Sequence, residues 1–380
     1  MNEPKQKIAF VYDAIFPYVT GGAEKRFFEV GKRLAAEGYD VHFYGMKSWN
    51  GADVIKENGM TLHGIMRNES LYTKQGKRSI GEAFRFGLAA WQLRKESFDV
   101  IDCCSFPYFS LFSLRLVTWI KRKPLYCTWH EVWGCGYWRE YLGLMGIVGY
   151  AVERIASGLP DTIIAVSDQT AQELADKLGR KKNVVVIPNG IDLEKIAEAE
   201  AGKEKSDIIF AGRLIAHKNV DKLIAALDIV KKNFPDVMLT VVGEGPEEDR
   251  LKKLVNDLRL ESNVRFSGFV EENKLFSYMK SSRMLALPSS REGFGMVVLE
   301  AKACGLPILT VNEPQNAARH FMRENSGDVI TKNSPQSIAK GIEKILENRN
   351  SIVSSREIER YSWNNIAIGV AEVFNLKNNI

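Results

Sequence analysis

The feature that most constrains this chain is an alternation of apolar runs and helical stretches that is played through twice. Ile8–Tyr12 is a short apolar run, read as a buried strand, and Gly21-Gly22 breaks it. Glu24–Ala36 follows with Phe27, Val30, Leu34 and Ala35 at helical spacing, and Gly38 stops that helix. Further strands are predicted at Val41–Tyr44, Val100–Cys103, Leu125–Thr128, Thr162–Val166 and Val184–Ile187. Leu193–Ser206, rich in Ala, Glu and Lys and poor in large apolar residues, is predicted to connect two domains. The alternation then restarts. Strands are predicted at Ile208–Phe210, Leu239–Val242, Val264–Phe266, Met284–Leu287 and Ile308–Val311. Helices are predicted at Val220–Asn233, Glu248–Leu258, Lys274–Lys280, Met296–Cys304 and Pro335–Glu347. Strands spaced by helices call for parallel sheets covered on both faces, so the fold class expected is α/β with two Rossmann-like halves. Ligands of such sheets bind beyond the carboxyl ends of the strands, and two facing sheets make the cleft between them the natural site.

Composition narrows the function. At roughly 150 residues per domain, 380 residues suit two or three domains. A chain 45% hydrophobic and 26% charged is neither disordered nor fibrous. Its 52 basic and 47 acidic residues leave +5, too slight an excess to make nucleic acid the main partner. The longest charge-free stretches, Cys103–Leu114 and Tyr141–Val152, fall short of the apolar length a spanning helix needs. The first residues carry no apolar segment of the kind a signal peptide needs. Five scattered cysteines without a C-x-x-C pair read as reduced core residues of a cytoplasmic protein.

Four motifs stand where chemistry is expected. Arg291-Glu292-Gly293-Phe294-Gly295-Met296-Val297 leads from a strand through a Gly-rich turn into a helix that continues to Glu300 and Ala301. Gly293 and Gly295 would let the backbone approach a ligand. The amides of Gly295, Met296 and Val297 would sit at a helix N-terminus, which favours an anion such as diphosphate. Glu292 and Glu300 could face one cleft; the plainer alternative makes Glu292 a helix cap and Glu300 a solvated residue. Phe210–Asn219 repeats the pattern with Arg213 and Lys218, cations suited to phosphate, the alternative being surface cations paired with carboxylates. Thr20-Gly21-Gly22 permits close approach of a phosphate or sugar, or is simply a tight turn. His130 ends a predicted strand and would point into the cleft, or is a satisfied, partly buried histidine. No G-x-G-x-x-G, H-E-x-x-H, D-x-D or G-x-S-x-G occurs. Nicotinamide, zinc and nucleophilic-serine chemistry are thereby set aside.

Taken in order, these motifs resemble the GT-B glycosyltransferases of family 4, the large retaining family. The resemblance runs nearly the whole chain: the first strand with Gly21-Gly22, Ile187–Asp192, Gly212-Arg213-Leu214 with Lys218, Val242–Pro246, Ser289–Gly295, Glu300-Ala301 and Tyr361-Ser362-Trp363. It implies a GT-B fold, two Rossmann-like domains facing across a cleft. Residues 1–194 would take the acceptor and 195–361 the nucleotide sugar, with 362–380 crossing back to the first domain. Arg213 and Lys218 would hold the donor's diphosphate, and Glu300 the ribose hydroxyls. Glu292 would contact the donor sugar near its reacting carbon. The amides of Gly295, Met296, Val297 and Gly22 would complete the phosphate cradle. His130 would lie near the donor sugar and Gly268–Val270, with Val270, near the base. The function implied is retaining, metal-independent transfer from a nucleoside-diphosphate sugar to a hydroxyl on a glycan or lipid-linked acceptor, with no cofactor. A nucleotide-sugar 2-epimerase and a non-catalytic nucleotide-sugar-binding subunit are the alternatives. Near His130 the sequence departs from the family's simpler Thr-x-His, because Trp133, Cys135, Tyr137 and Trp138 follow closely.

One segment points elsewhere. Arg67–Lys95 holds Arg67, Lys74, Lys77, Arg78, Arg85, Arg94 and Lys95 against Glu69 and Glu82, seven minus two, or +5. Phe84, Phe86, Leu88 and Trp91 are interleaved with that charge, and Lys121-Arg122-Lys123 lies in the same domain. Basic residues beside apolar ones hold proteins on anionic leaflets, which makes peripheral membrane contact on the cytoplasmic face the expectation to test. The alternative buries Phe84, Leu88 and Trp91 in the core.

Overall fold

The computed structural model describes residues 6–73, 78–323, 326–348 and 355–374. The chain divides into two compact units, Met1–Gly190 with Trp363–Ile380, and Ile191–Ser362.

In the first unit the strands are β1 (Lys7–Val11), β2 (Asp40–Lys47), β3 (Val54–Glu57), β4 (Met60–Arg67), β5 (Val100–Cys104), β6 (Leu125–Trp129), β7 (Thr162–Ala165) and β8 (Val184–Val186). They form one sheet in the order β3-β4-β2-β1-β5-β6-β7-β8. All pairs are parallel except β3 with β4, a hairpin turned at Asn58-Gly59, both at positive φ (50° and 77°). That Asn-Gly is the strongest short-range hairpin signal a sequence offers. The central strands are largely buried because helices cover them: α1 (Gly22–Ala36), α2 (Ile80–Ala89), α3 (Phe109–Lys121), α4 (Gly134–Leu142), α5 (Gly146–Ser157) and α6 (Asp168–Leu178).

The second unit begins with α7 (Leu193–Glu198), followed by β9 (Ser206–Ala211), α8 (Val220–Val230), β10 (Leu239–Val242), α9 (Glu248–Asp257), β11 (Val264–Gly268), α10 (Glu272–Lys280) and β12 (Ser282–Leu287). The two-residue strand β13 (Arg291–Glu292) precedes α11 (Met296–Ala303), and β14 (Ile308–Val311) precedes the equally short β15 (Gln315–Asn316). β16 (Val329–Thr331), α12 (Pro335–Glu347) and α13 (Ser355–Glu359) complete the unit. Its main sheet, β11-β10-β9-β12-β14-β16, is wholly parallel.

The last helix, α14 (Trp363–Val373), belongs to the first unit and packs against α1. Its Trp363 is buried, and a Cβ on Gly190 would stand 2.5 Å from that ring. Phe374 meets the rings of Phe10 and Tyr126.

Leu193–Ser206, expected to be the connection, is part of the second unit instead. Ile196 anchors α7 in the core, Lys195 pairs with Glu272, and Gly202 donates its amide to the Ser277 carbonyl. One buried residue in six gave the helix no periodic signal. Of the cysteines expected in the core, Cys103, Cys104 and Cys127 are buried, while Cys135 is exposed.

Candidate active site

At the carboxyl ends of β9, β10 and β11, three loops lie on one another. Gly212 and Leu214 donate their amides to the carbonyls of Val242 (3.0 Å) and Glu244 (2.8 Å), and Gly243 donates to Gly268 (2.8 Å). The Glu244 carboxylate accepts the Phe269 amide at 3.2 Å, one residue before Val270. Gly243 has a φ of 127°, and a Cβ there would lie 2.1 Å from the Gly212 carbonyl oxygen. The glycines of Val242–Pro246 therefore serve loop-on-loop packing, which holds the Arg213–Lys218 turn in place.

That turn is latched to the loop after β12. Asn219, in the left-handed region, donates its side-chain amide to the Pro288 carbonyl at 2.8 Å. Ser290 donates its backbone amide (2.8 Å) and its hydroxyl (3.1 Å) to the His217 carbonyl. The two charged motifs are thereby joined, and Lys218 Nζ donates to Glu292 Oε1 at 2.5 Å. Both side chains are largely buried, so the pair is screened less than a surface pair.

Glu292 is fixed from the other side as well. β13 pairs with β15, placing Glu292 beside Asn316. Asn316 is fully buried and donates to the Thr310 hydroxyl and the Val311 carbonyl while accepting the Ala318 amide. Phe294 packs edge-on against Phe321 and anchors the Gly-rich turn.

Gly295 is the N-cap of α11, with a φ of 90° and no side-chain cap. A Cβ there would lie 2.8 Å from that of Ala318. Its requirement for glycine is explained by backbone conformation and packing, before any ligand is invoked. Glu292 does not cap the helix, and the first-turn amides of Met296 and Val297 have no acceptor within it. Glu300, one turn on, is buried, which removes the solvated alternative. Arg213 is exposed on its loop, and Val270 is half-buried after β11. Among the described residues no group of three His, Cys, Asp or Glu is arranged to hold a metal ion.

The first unit carries a different set of groups. Gly22 opens α1, whose N-terminus has no side-chain cap, and the Tyr12 hydroxyl donates to Glu24 at 3.0 Å. His130 follows β6 with its Nε2 buried and without a hydrogen-bond partner among the described residues. Burial, helped by the Arg26 cation, pushes its imidazole down to about 3, so the ring is neutral at physiological pH.

Sequence reasoning did not single out the residues behind it. Arg26 is buried on α1 and donates to the Pro188 carbonyl (2.5 Å) and to Asn189 Oδ1 (3.0 Å). Burial pushes its guanidinium down to about 10. Asp102, buried on β5, accepts from the Thr128 hydroxyl at 2.8 Å, and burial pushes it up to about 7. The departure seen after His130 also has a structural cause. Buried Glu153 accepts from Tyr108 Oη, from the Trp133 and Gly134 amides and from Trp138 Nε1, all at 2.8–3.0 Å. Trp133 stacks on Phe106.

Known proteins match both halves. Residues 20–195 match Glycosyltransferase Family 4, and residues 191–362 match Glycosyl transferases group 1. This chain is a GT-B glycosyltransferase of the group 1, family 4 class. An uncharacterized glycosyltransferase of Haemophilus influenzae is 27% identical over 86% of this chain and 87% of the relative. A GDP-mannose-dependent alpha-(1-6)-phosphatidylinositol monomannoside mannosyltransferase of Mycobacterium tuberculosis is 25% identical over 60% of this chain and 65% of the relative. Sucrose-phosphate synthase from Thermosynechococcus elongatus has the same fold, with a TM-score of 0.78 at 19% identity over 98% of both chains. Anabaena HepE, solved with UDP and glucose, gives 0.73 at 20% identity over 97% of this chain and 99% of that one. The enzyme is therefore a glycosyltransferase.

Proposed function

We propose that this glycosyltransferase moves a hexose from a nucleoside-diphosphate sugar to an acceptor hydroxyl with retention of configuration and without a metal ion or cofactor. The observation that carries the reading is the Lys218–Glu292 pair, set beside the uncapped N-terminus of α11 at the carboxyl end of the second sheet. The ammonium has three N–H donors and gives one to Glu292. The other two are available to a diphosphate oxygen, so Lys218 bridges the leaving group and the carboxylate beside the sugar. Cleaving the sugar–phosphate bond leaves its electron pair on the diphosphate and an oxocarbenium-like sugar. Lys218, Arg213 and the amides of Gly295, Met296 and Val297 stabilise that departing charge. Preorganised charge of this kind is usually the largest catalytic term. Glu300 takes the ribose hydroxyls, Val270 borders the base, and Glu292 attends the sugar. The acceptor oxygen attacks from the face the diphosphate leaves, and its proton passes to the departing phosphate oxygen. A lipid-linked acceptor is favoured by the mycobacterial relative, whose name specifies phosphatidylinositol monomannoside.

The test is a panel of nucleotide sugars followed by release of nucleoside diphosphate, with and without EDTA, and by the anomeric configuration of the product. Turnover that survives EDTA and gives a retained anomer is expected. Loss in EDTA restored by magnesium or manganese overturns metal independence, and an inverted anomer overturns retention. Interconversion of donor sugars without diphosphate release would make the enzyme an epimerase.

A further inference from the structure

Eighteen large apolar side chains stand exposed among the described residues, and eleven of them lie in three stretches of the first unit. On α2 they are Ile80, Phe84 and Leu88, at four-residue spacing. On α3 they are Leu116, Trp119 (65% exposed) and Ile120. Five more lie between Leu144, which is 85% exposed, and Ile155. The opposite sides of the same helices, with Phe86, Leu114 and Ala156, are buried in the core. These helices are therefore apolar on both the inner and the outer face, whereas an ordinary surface helix is polar outside.

The three stretches form one face. The connections β4 to β5, β5 to β6 and β6 to β7 all step the same way across a parallel sheet, so right-handed crossovers put α2, α3 and α5 on the same side. α2 touches α3, the Phe84 ring meeting Phe109 edge-on at 5.6 Å, and α3 touches α5. Exposed apolar surface gathered in this way marks an interaction site.

Charge identifies the occupant. Residues 80–95, 109–123 and 143–157 hold eight cations and two acids, and both acids, Glu82 and Glu153, are buried. Arg85, Arg115 and Lys123 pair with Glu69, Asp161 and Asp99 of flanking loops. Arg122 and Arg154 are exposed beside the apolar stripes, and Lys121 lies over the Phe98 ring. A protein interface is depleted in lysine at its centre, whereas apolar side chains edged by Lys and Arg match the boundary of an anionic bilayer. We propose that the α2–α3–α5 face seats the enzyme on an anionic lipid leaflet. The basic segment expected for this role is thereby revised. Arg78 is committed to buried Asp13 and Phe86 to the core, and Lys74 and Lys77 lie outside the described residues. Phe84 and Leu88 face outward, and most of the surface comes from α3 and the Leu144–Ile155 stretch. The inference deepens the lipid-linked acceptor of the proposed function, but its deciding readout is vesicle binding, so the two fail separately.

The full chain is sedimented with vesicles of phosphatidylcholine alone and of phosphatidylcholine with phosphatidylglycerol. Binding to the anionic vesicles, weakening as salt rises, is expected. Trp119→Ser with Ile120→Ser should weaken it by at least about tenfold. Lys121→Gln and Arg122→Gln should each weaken it about fivefold. Trp119, Ile120 and Arg122 are exposed and Lys121 is half-buried, so circular dichroism and donor turnover in solution should match the parent. Absence of binding to anionic vesicles at low salt overturns the proposal, as does equal binding by the Trp119→Ser/Ile120→Ser variant. An oligomer in light scattering that the same variant dissolves, without vesicle binding by the parent, overturns it in favour of a second copy of the chain.

Discussion

The strand ends of the two units are built from the same elements and furnished in opposite ways. In the second unit the polar groups are matched: Lys218 meets Glu292 across loops that hydrogen bonds hold together. In the first unit they sit behind the strand ends where charge is costly. Arg26, Asp102 and His130 are all shifted toward their neutral forms by burial. A matched pair on the loops beyond the strand ends leaves ammonium donors for a charged ligand. A buried set with an orphan imidazole nitrogen stiffens its surroundings and offers one neutral contact. On the function proposed above, charge stabilisation belongs to the second unit and shape to the first.

The sharpest way to break that assignment is to neutralise the pair. Glu292→Gln and Lys218→Ala should each lower turnover by about 10²–10³-fold, the range for loss of a charge-stabilising group, while circular dichroism shows an intact fold. Turnover near the parent's with saturating donor would leave the second unit without its assigned role.

Arg26 should behave the other way, as a stability residue. Arg26→Met strips the donors from the Pro188 carbonyl and from Asn189, and takes the cation away from Asp102. Removing one partner from a buried charged network costs about 3–5 kcal/mol. Urea denaturation should show a loss of that size, and a loss under about 1 kcal/mol would mean the cluster is loosely packed.

Gly295→Ala probes the second unit through its backbone alone. A left-handed residue with a side chain costs about 1–2 kcal/mol, and the new Cβ must also displace Ala318. Destabilisation of about 2 kcal/mol with weakened donor binding is expected, measured by thermal melts with and without nucleoside diphosphate. A melt unchanged from the parent's would show that the turn tolerates another conformation.

What could be read in advance follows the range of the interactions. Central strands, α1 and the helices α8 to α12 announce themselves by local periodicity, and they are found; α3, α5 and α6 of the first unit are not placed by it. Glu292, Lys218 and Gly295 each follow an apolar run, in or after a glycine-bearing turn, a local sign. That Lys218 and Glu292 pair across 74 residues is not a local fact, nor is the clamp of Arg26 on Asn189, which are 163 apart. Nothing near Arg26 marks it as buried, because an arginine on a helix is ordinarily solvated. The strand pair β13–β15 is two residues long on each side, too short for any period. The β3–β4 hairpin differs from these. Its Asn58-Gly59 turn lay in plain sight, and the alternation of strand and helix drew attention past it.

His130 ties the stability of the first unit to pH. Its folded pKa, about 3, lies below the ordinary histidine value near 6.5. Between those values the unfolded chain binds a proton that the folded chain refuses, so stability rises with pH through that window and falls as pH drops through it. Above about pH 6.5 both states carry the neutral ring, and the slope from this residue vanishes. Asp102, held up at about 7, works against it: between about pH 4 and 7 the folded state holds the extra proton, which favours the acid side. The difference between parent and His130→Gln isolates the imidazole from that background. Urea midpoints taken from pH 7 down to 4 should show the parent losing stability relative to the variant by up to one proton's worth, about 1.4 kcal/mol per pH unit. A difference that stays flat across the range would place a protonated imidazole in the folded enzyme, and the first unit would then carry charge at its strand ends just as the second does.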